Sequence, residues 1–259
     1  MNYIDTHSHI YSNDFESDRD EVVEKCIKSD VNKIILPNID LMSIQNLKNT
    51  ILKYNNIYGK IMFGAMGLHP TSVTENYKED LETIKKELYK GDYIAIGEIG
   101  MDLYWDKSLQ HLQEESLKIQ LNWAKELNLP VLIHSRNAED NIIEILENNE
   151  YSEIRGVFHC WSGSLEQTKK ILDLGFYIGV GGTVTFNNSN VPNILKEVPI
   201  NRILTETDSP YLSPMPYRGK RNNSSNIPII VNRISDVLNI EKELLIEIIS
   251  DNVNKLLNI

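Results

Sequence analysis

The sequence predicts an α/β protein with the architecture of a (β/α)8 TIM barrel. Eight apolar runs rich in β-branched residues alternate with longer segments of helical periodicity, which is the pattern of parallel βαβ units. Runs such as 131–133 are apolar on both faces, as buried parallel strands require. A length of 259 residues suits a barrel of this kind, although counting units does not by itself exclude an open sheet.

The predicted elements follow one another along the whole chain. The strands are Tyr3–Thr6, Lys33–Pro37, Ile61–Leu68, Tyr93–Glu98, Val131–His134, Gly156–His159, Phe176–Val180 and Arg202–Thr207. Apolar residues spaced at three and four mark the helices between them. The helices are Glu16–Lys28, Lys78–Tyr89, Ser108–Leu127, Asn141–Leu146, Leu165–Leu174, Val191–Val198, Ile229–Leu238 and Lys242–Leu257. No Gly-, Ser- or Pro-rich linker interrupts this order, so residues 1–259 are predicted to form a single domain.

The composition narrows the classes of function. The formal net charge is −11, whereas proteins that hold duplex DNA mainly through its phosphates are usually basic. Capture of a single phosphate by metal ions and a few arginines is compatible with this balance. Two cysteines are too few for a disulfide framework, and neither a signal peptide nor a membrane span is recognisable. We therefore expect a cytoplasmic protein without a membrane partner.

Histidines and acids recur where the predicted strands end. His7 and His9 lie two residues apart on the first strand, and they therefore share one face with Asp5. The other strand ends carry His69, Glu98, His134, His159, Glu206 and Asp208. Because the carboxyl ends of barrel strands converge on one face, these residues should be neighbours. The one remaining histidine, His111, lies in a predicted helix.

Each of these residues also has a purely structural interpretation. His134 or His159, taken singly, fits a buried histidine bonded to a backbone carbonyl, and Asp208 fits a turn or a helix cap. His69 fits the end of a strand before Pro70. Glu98 is harder to explain in this way, because a carboxylate on a buried strand is costly unless it is paired or bound to metal. Taken together, the residues predict a metal centre.

The ligand types predict the kind of centre. Imidazole and carboxylate donors suit Zn, Mn, Fe, Co or Ni and can also hold Mg. Cys160 should face away from His159 by strand parity and pack as a small residue. The number of donors predicts two ions, with His7, His9 and Asp208 on one, His134 and His159 on the other, and Glu98 between them. Two such ions can activate a water for attack on phosphorus, and the carboxylate of Asp208 or Glu206 could accept its proton.

The motifs that carry these residues resemble those of the TatD family of metal-dependent deoxyribonucleases, among the amidohydrolase-like barrel hydrolases. They are Asp5–His9, Gly67–Pro70, Gly97–Asp102, His134–Arg136, His159–Gly163 and Glu206–Leu212. The resemblance implies metal ligands at His7, His9, Glu98, His134, His159 and Asp208. It also implies a phosphodiesterase that acts on DNA, often from the 3′ end of single strands. Trp161 stands where Phe is more usual in the family.

Several residues near the expected mouth of the barrel are candidates for substrate binding. Arg136 could clamp a phosphate, or it could form a salt bridge with Glu98 or Asp102. Arg218 and Arg221 add cations in the loop 208–228, which could equally be a solvated turn, and His69 completes the set. Tyr104, Trp161, Tyr211 and Tyr217 could stack on bases or simply pack. The glycines in 179–182 could approach a phosphate or form a tight turn.

Three functions are compatible with the sequence. The first is a two-metal phosphodiesterase on single-stranded DNA ends, with RNA as a further substrate and a monomer as the favoured state. The second is a related hydrolase of esters or amides, such as an aminoacyl-tRNA deacylase, a lactonase or a cyclic amidase. Such barrels often bridge their metals with a modified lysine on strand four, where this chain has Glu98. The third is a metal-loaded binding scaffold without catalysis.

Overall fold

Within residues 2–104 and 106–259, which the computed structural model describes, eight parallel strands pair in sequence order from β1 to β8. The strands are β1 Tyr3–Asp5, β2 Val31–Pro37, β3 Met62–Met66, β4 Ala95–Asp102, β5 Val131–Arg136, β6 Gly156–Phe158, β7 Tyr177–Val180 and β8 Ile203–Thr205. The helices are α1 Arg19–Lys28, α2 Ser43–Tyr58, α3 Tyr77–Leu88, α4 Gln110–Leu127, α5 Glu139–Leu146, α6 Leu165–Asp173, α7 Val191–Leu195, α8 Ile227–Leu238 and α9 Lys242–Leu257. The predicted (β/α)8 barrel is confirmed.

The last strand returns to the first, which excludes the open sheet. The backbone N–H of Thr6 donates to the carbonyl of Thr205 at 2.9 Å, and the Thr205 hydroxyl donates to the carbonyl of Ile4 at 2.9 Å. Beyond the strands, Ser8 and Ser209 form an isolated parallel bridge. We call this contact region the β1–β8 junction.

Most elements shift by a few residues from their predicted bounds, and two differ more. Helix α2 had no predicted bounds, although Leu47, Thr50 and Tyr54 form its buried face. Strand β4 was predicted to end at Glu98 but continues to Asp102. It can do so because the pairing with β5 shifts register between Ile96 and Ile99. Glu98 therefore lies inside a strand, at an irregular position, and the strand beyond it brings Asp102 to the same face of the barrel.

Asp5 holds the β1–β8 junction together. Its Oδ1 accepts the backbone N–H of Thr207 at 2.9 Å, and its Oδ2 accepts the Thr207 hydroxyl at 2.5 Å. The side chain is fully buried, and burial raises its pKa from 3.8 to about 7 despite these hydrogen bonds. Asp5 is thus committed to the scaffold, and it is not a third donor beside His7 and His9.

The core consists of buried apolar side chains from every strand and from the inner faces of the helices. Most of these side chains are Ile, Leu and Val, which pack well between parallel strands and their covering helices. In the described part of the chain, no helix has both the length and the apolarity that crossing a bilayer needs.

The substitution Asp5→Asn is expected to stabilise the metal-free protein at pH 8 but not at pH 4. The folded protein keeps the Asp5 proton up to pH about 7, whereas the unfolded chain loses it near 3.8. Stability therefore falls as pH rises through this window, by up to about 4 kcal/mol. Urea unfolding with a chelator at both pH values measures the difference between variant and wild type. An identical difference at the two pH values would contradict this role of Asp5.

Candidate metal centre

His7 and His9 are carried by a backbone segment that is fixed on both sides. The N–H of Ser8 donates to the carbonyl of Ile35 in β2 at 3.0 Å. On the other side, the N–H of Asp208 donates to the carbonyl of His7 at 2.9 Å, and the N–H of His9 donates to the carbonyl of Ser209 at 2.7 Å. Both imidazoles are buried. The β1–β8 junction thus sets the position of both histidines.

Glu98 lies at the centre of the cluster, and its two oxygens face different imidazoles. Oε2 lies 3.1 Å from Nε2 of His7 and 3.4 Å from Nε2 of His9. Oε1 lies 3.0 Å from Nδ1 of His134 and 2.8 Å from Nε2 of His159. The residue is only 2% exposed. A single buried carboxylate therefore joins two separate pairs of imidazole nitrogens.

Asp208 belongs to the side of the cluster that holds His7 and His9. Its Oδ1 lies 3.8 Å from Nε2 of His7 and 3.6 Å from Nε2 of His9. The backbone of Asp208 has φ 55°, a left-handed conformation that is uncommon for residues with a side chain and that is concentrated at functional sites. Three groups of donors lie close enough to hold a metal ion. Two include Glu98, namely His7–His9–Glu98 and His69–Glu98–His134, and the third is His7–His159–Glu206.

The rings of His7 and His159 are stacked. Their centroids are 3.9 Å apart and their planes differ by 14°. Each ring presents Nε2 to a different oxygen of Glu98, since His7 faces Oε2 and His159 faces Oε1. The donor set thus fits the binding of divalent metal.

Charges in the cluster are balanced by protons. Burial raises the pKa of Glu98, but His69, His159 and His7 outweigh it and hold that pKa well below its usual value. Burial lowers the pKa of His9, yet Asp208 and Glu98 raise it to about 9. In the same way, Glu98 and Glu206 hold the pKa of His159 well above its usual value. The carboxylates make the centre anionic, so the imidazole nitrogens take up protons. The same nitrogens are suited to bind metal cations.

His69 lies against Glu98 in a defined tautomer. Its Nε2 is 3.2 Å from Glu98 Oε1, while its Nδ1 accepts the backbone N–H of Thr71 at 3.1 Å. Burial lowers the pKa of His69, so the ring is neutral and carries its proton on Nε2. His69 therefore donates a hydrogen bond into the centre. Its role in substrate binding stays a prediction.

Two residues that hold the cluster were not identified from the sequence. The Tyr11 hydroxyl donates to the carbonyl of Pro37 at 2.5 Å and must accept from Nδ1 of His9 at 3.1 Å. Asp102 Oδ2 accepts from Nε2 of His134 at 3.0 Å. Each contact leaves the other ring nitrogen facing Glu98. Tyr11 lies two residues beyond His9, and this spacing could have indicated that the two side chains share a face. Asp102 was not recognised because β4 was predicted to end at Glu98, four residues earlier.

The two acids considered as proton acceptors occupy different places. Asp208 faces the Nε2 atoms, as described above. Glu206 is fully buried, its Oε1 accepts the backbone N–H of Cys160, and it lies 3.6 Å from Nδ1 of His159. Glu206 is thus behind His159. The predicted orientation of Cys160, away from His159, assumed a regular strand through both residues. This assumption does not hold, because β6 ends at Phe158 and Cys160 has φ 47°.

The predicted phosphate-binding arginines have different surroundings. Arg136 is exposed, and its guanidinium carbon lies 3.7 Å from the ring centroid of Tyr104. The guanidinium of Arg218, also exposed, lies 4.5 Å from the ring centroid of Phe186. Arg221 instead donates to the carbonyl of Asp14 and the carboxylate of Asp18. Arg221 thus fastens the loop after β8 to the segment before α1.

The aromatic residues separate into buried and exposed members. Trp161 is 3% exposed and donates from Nε1 to the Thr168 hydroxyl at 2.8 Å, which favours the packing alternative over stacking on bases. Tyr104, Tyr211 and Tyr217 are 52%, 56% and 43% exposed. The Tyr211 ring centroid lies 6.5 Å from that of His9. Exposed aromatic surface is therefore present beside the centre.

The glycines at the end of β7 and directly after it serve close packing. A Cβ on Gly179 would lie 2.2 Å from Glu206 Oε2, and a Cβ on Gly182 would lie 2.0 Å from the carbonyl of Leu212. Both positions thus admit neighbouring protein groups, which favours the structural alternative over a phosphate cradle.

A barrel with imidazoles gathered around a buried carboxylate is the architecture of metal-dependent hydrolases. The family described as TatD related DNase matches residues 4–258, and the chain belongs to this family. It is 35% identical over 256 residues to the uncharacterized metal-dependent hydrolase YabD of Bacillus subtilis, covering 98% of both chains. It is 31% identical over 263 residues to YcfH of Escherichia coli K12, covering 100% of this chain and 97% of the relative.

The crystal structure of YjjV, a TatD homolog from Escherichia coli K12, superposes with a TM-score of 0.90 at 27% identity. The match covers 99% of this chain and 98% of that chain. The barrel and its strand order are therefore those of a TatD homolog throughout.

Binding of divalent ions is expected to release protons, because the pKa of His9 is raised to about 9 and its proton must leave before Nε2 can bind a cation. At pH 7.5 we expect at least one proton per protein molecule, and affinity should fall as pH is lowered from 8 to 6. Calorimetry with Mn²⁺ in two buffers of different ionisation enthalpy measures the number released. Binding without proton release would contradict the proposed protonation of the centre.

Removal of the Glu98 carboxylate should abolish metal binding on both sides of the cluster. Glu98→Ala is expected to retain less than a tenth of the wild-type metal content in elemental analysis, since the donor groups His7–His9–Glu98 and His69–Glu98–His134 both lose their central ligand. Glu197→Ala, at an exposed position, is the matched control and should bind normally. If the Glu98 variant retained one full equivalent of metal per protein molecule, the two sides would not share this ligand.

Proposed function

We propose that the protein is a divalent-metal-dependent phosphodiesterase, a deoxyribonuclease that acts as a 3′–5′ exonuclease on single-stranded DNA ends. The observation that carries this proposal is the orientation of the Glu98 carboxylate. Its two oxygens face two different pairs of imidazole nitrogens. Such a carboxylate suits a bridging position between two cations. The membership in a family described as TatD related DNase supports the choice of DNA.

The metal ligands follow from this orientation. His7, His9 and Asp208 would hold one ion, His134 and His159 the other, and Glu98 both. Nitrogen and oxygen donors of this kind accept Mg, Mn, Zn, Fe, Co or Ni. Two divalent cations held here would supply Lewis-acid activation of water and neutralise charge on phosphoryl oxygens. Tyr11 and Asp102 keep His9 and His134 in the tautomers that this arrangement needs.

Asp208 is the better placed proton acceptor of the two acids. Burial raises the pKa of Asp208, but hydrogen bonding to His9 and the charges of His159 and His7 lower it below its usual value. The carboxylate is therefore ionised, and its side chain is 15% exposed, so that a reacting water can reach it. Glu206, behind His159 and 0% exposed, has no comparable access.

The substrate groups are expected on opposite sides of the centre. Tyr211 lies beside His9. On the other side, Tyr104 donates its backbone N–H to Asp102 at 3.0 Å, and Arg136 lies over the Tyr104 ring. A strand end whose scissile phosphate sits at Glu98 would place bases near the two exposed tyrosines, and Arg136 near a phosphate. Stacking of this kind is tolerant of base sequence.

A direct test compares substrates and metals. Digestion of 3′- and 5′-end-labelled single-stranded DNA with Mg²⁺ or Mn²⁺ should give stepwise shortening from the 3′ end, and a chelator should stop it. RNA of the same sequence and a panel of esters, lactones and amides are the competing substrates. Absence of DNA shortening under every metal, with a known nuclease active in parallel, would refute the proposal. Faster turnover of an ester or amide would assign the alternative hydrolase function.

The substitution Asp208→Asn should lower kcat by at least about 100-fold, because it removes a general base that contributes about 10²–10⁴ in rate. Asp173→Asn, on the exposed side of α6, is the matched control and should keep wild-type kcat. Steady-state kinetics at saturating metal separates loss of catalysis from loss of metal. Wild-type kcat for the Asp208 variant would exclude this residue as the proton acceptor.

Loss of an exposed tyrosine should weaken DNA binding without slowing the chemical step. Each base stacked on an aromatic residue contributes about 1–3 kcal/mol, so Tyr104→Leu and Tyr211→Leu should raise KM for single-stranded DNA by roughly 5- to 100-fold. The kcat for a small chromogenic phosphodiester should be unchanged. Tyr89→Leu, 47% exposed just after α3, is the control. An unchanged KM for both variants would place the DNA elsewhere.

A further inference from the structure

Three polar atoms behind the candidate metal centre are buried without a hydrogen-bond partner. They are Nδ1 of His7, Nδ1 of His159 and Oε2 of Glu206. One donor atom from each of these three residues lies within 4.8 Å of the others. An unpaired buried polar group costs about 1–3 kcal/mol, so three of them in one place indicate that they act together.

We infer that Glu206 is a positioning residue shared by both metal sites, accepting the Nδ1–H of His7 and of His159. The inference rests on the proposed metal centre. Oε1 already lies 3.6 Å from Nδ1 of His159, slightly beyond hydrogen-bond distance, and the stacked rings present their edges in parallel. The donor atoms of His7, His159 and Glu206 lie within 4.8 Å of one another, and closing these gaps would place both N–H groups on the carboxylate.

The chemistry of the histidines requires such an acceptor. The Nε2 atoms of His7 and His159 face Glu98, so a neutral ring that binds a cation there carries its proton on Nδ1. An anionic acceptor at Nδ1 fixes this tautomer and raises the basicity of the ligand nitrogen. His9 has the Tyr11 hydroxyl as the acceptor at Nδ1, and His134 has the Asp102 carboxylate as the acceptor at Nε2. Glu206 completes the arrangement for His7 and His159.

The fold reserves space for this carboxylate. The backbone N–H of Cys160 donates to Glu206 Oε1, which fixes one oxygen. A Cβ at position 179 would come within 2.2 Å of Oε2, so Gly179 in β7 leaves room for the other. No larger residue at this position is compatible with the observed place of Glu206. Because His7 and His159 serve different ions in the proposed centre, the charge of Glu206 couples the two sites.

The test is metal binding by the variants Glu206→Gln and Glu206→Asp, measured without substrate by calorimetry with Mn²⁺ and by elemental analysis. Glu206→Gln keeps the size but loses the charge, and it should weaken binding of both ions by about 10- to 100-fold. Glu206→Asp keeps the charge but shortens the side chain by one methylene, so metal affinity should fall less than in Glu206→Gln. Excess metal should restore kcat, with KM for DNA unchanged. Glu197→Gln, at an exposed position, is the control.

The outcomes distinguish this inference from the proposed function. Wild-type affinity for both ions in Glu206→Gln, or weakening at one site only, would overturn the shared role. A fall in kcat that excess metal does not restore, with affinity unchanged, would instead make Glu206 a catalytic residue. If the wild-type protein binds no divalent ion, the metal centre itself is wrong. Circular dichroism of each metal-free variant verifies that the fold is retained, and Glu206→Asp provides the test if Glu206→Gln does not fold.

Discussion

The rest of the site depends on one buried carboxylate. Glu98 is almost fully withdrawn from solvent, and an ion in such a place is stable only with strong compensation. The compensation comes from imidazoles on four different strand ends and from the protons that they take up. Because Tyr11, Asp102 and Thr71 contact the opposite sides of the His9, His134 and His69 rings, the geometry of the cluster is set from outside as well as from within.

This arrangement makes the centre pre-organised. Tyr11 is tied to β2 through the carbonyl of Pro37, and Asp102 is tied to α4, since its backbone N–H donates to Gln113 at 2.8 Å. The groups that orient the histidines therefore belong to the rigid barrel. Exposed groups such as Tyr104, Tyr211 and Arg136 lie in or next to loops. In barrels of this kind the strands usually hold the reactive groups rigidly, and the loops vary to suit the ligand.

The sequence predicted the fold and the members of the cluster because both depend on strong local signals. Strand periodicity places His7, His134 and His159 at strand ends, and convergence of those ends follows from the topology. The contacts that orient the ligands were beyond sequence reasoning. Asp102 required knowledge of a register shift in β4, and the roles of Asp208 and Glu206 differ through a side-chain direction that spacing does not encode.

Contacts with distant parts of the chain explain the remaining surroundings. By sequence alone Trp161 could stack on bases or pack, and its indole turns into the core toward Thr168. By sequence alone Arg221 could bind a phosphate or lie in a solvated turn, and the structure adds its contacts with Asp14 and Asp18 before α1. In both cases a residue from a distant part of the chain decides the environment, and no local pattern reveals such a partner. The same holds for Asp5, whose partner Thr207 lies across the β1–β8 junction.

That junction has a consequence for biosynthesis. Ser8 and Ser209 are hydrogen-bonded although 201 residues separate them, and the proposed ligands on one side, His7, His9 and Asp208, straddle the same point. A nascent chain therefore carries its first two ligands for most of its synthesis before the third emerges from the ribosome. An ion that engages all three closes a loop that spans most of the chain, and it stabilises only the chain whose β8 has docked. Metal capture would thus favour completed over truncated chains.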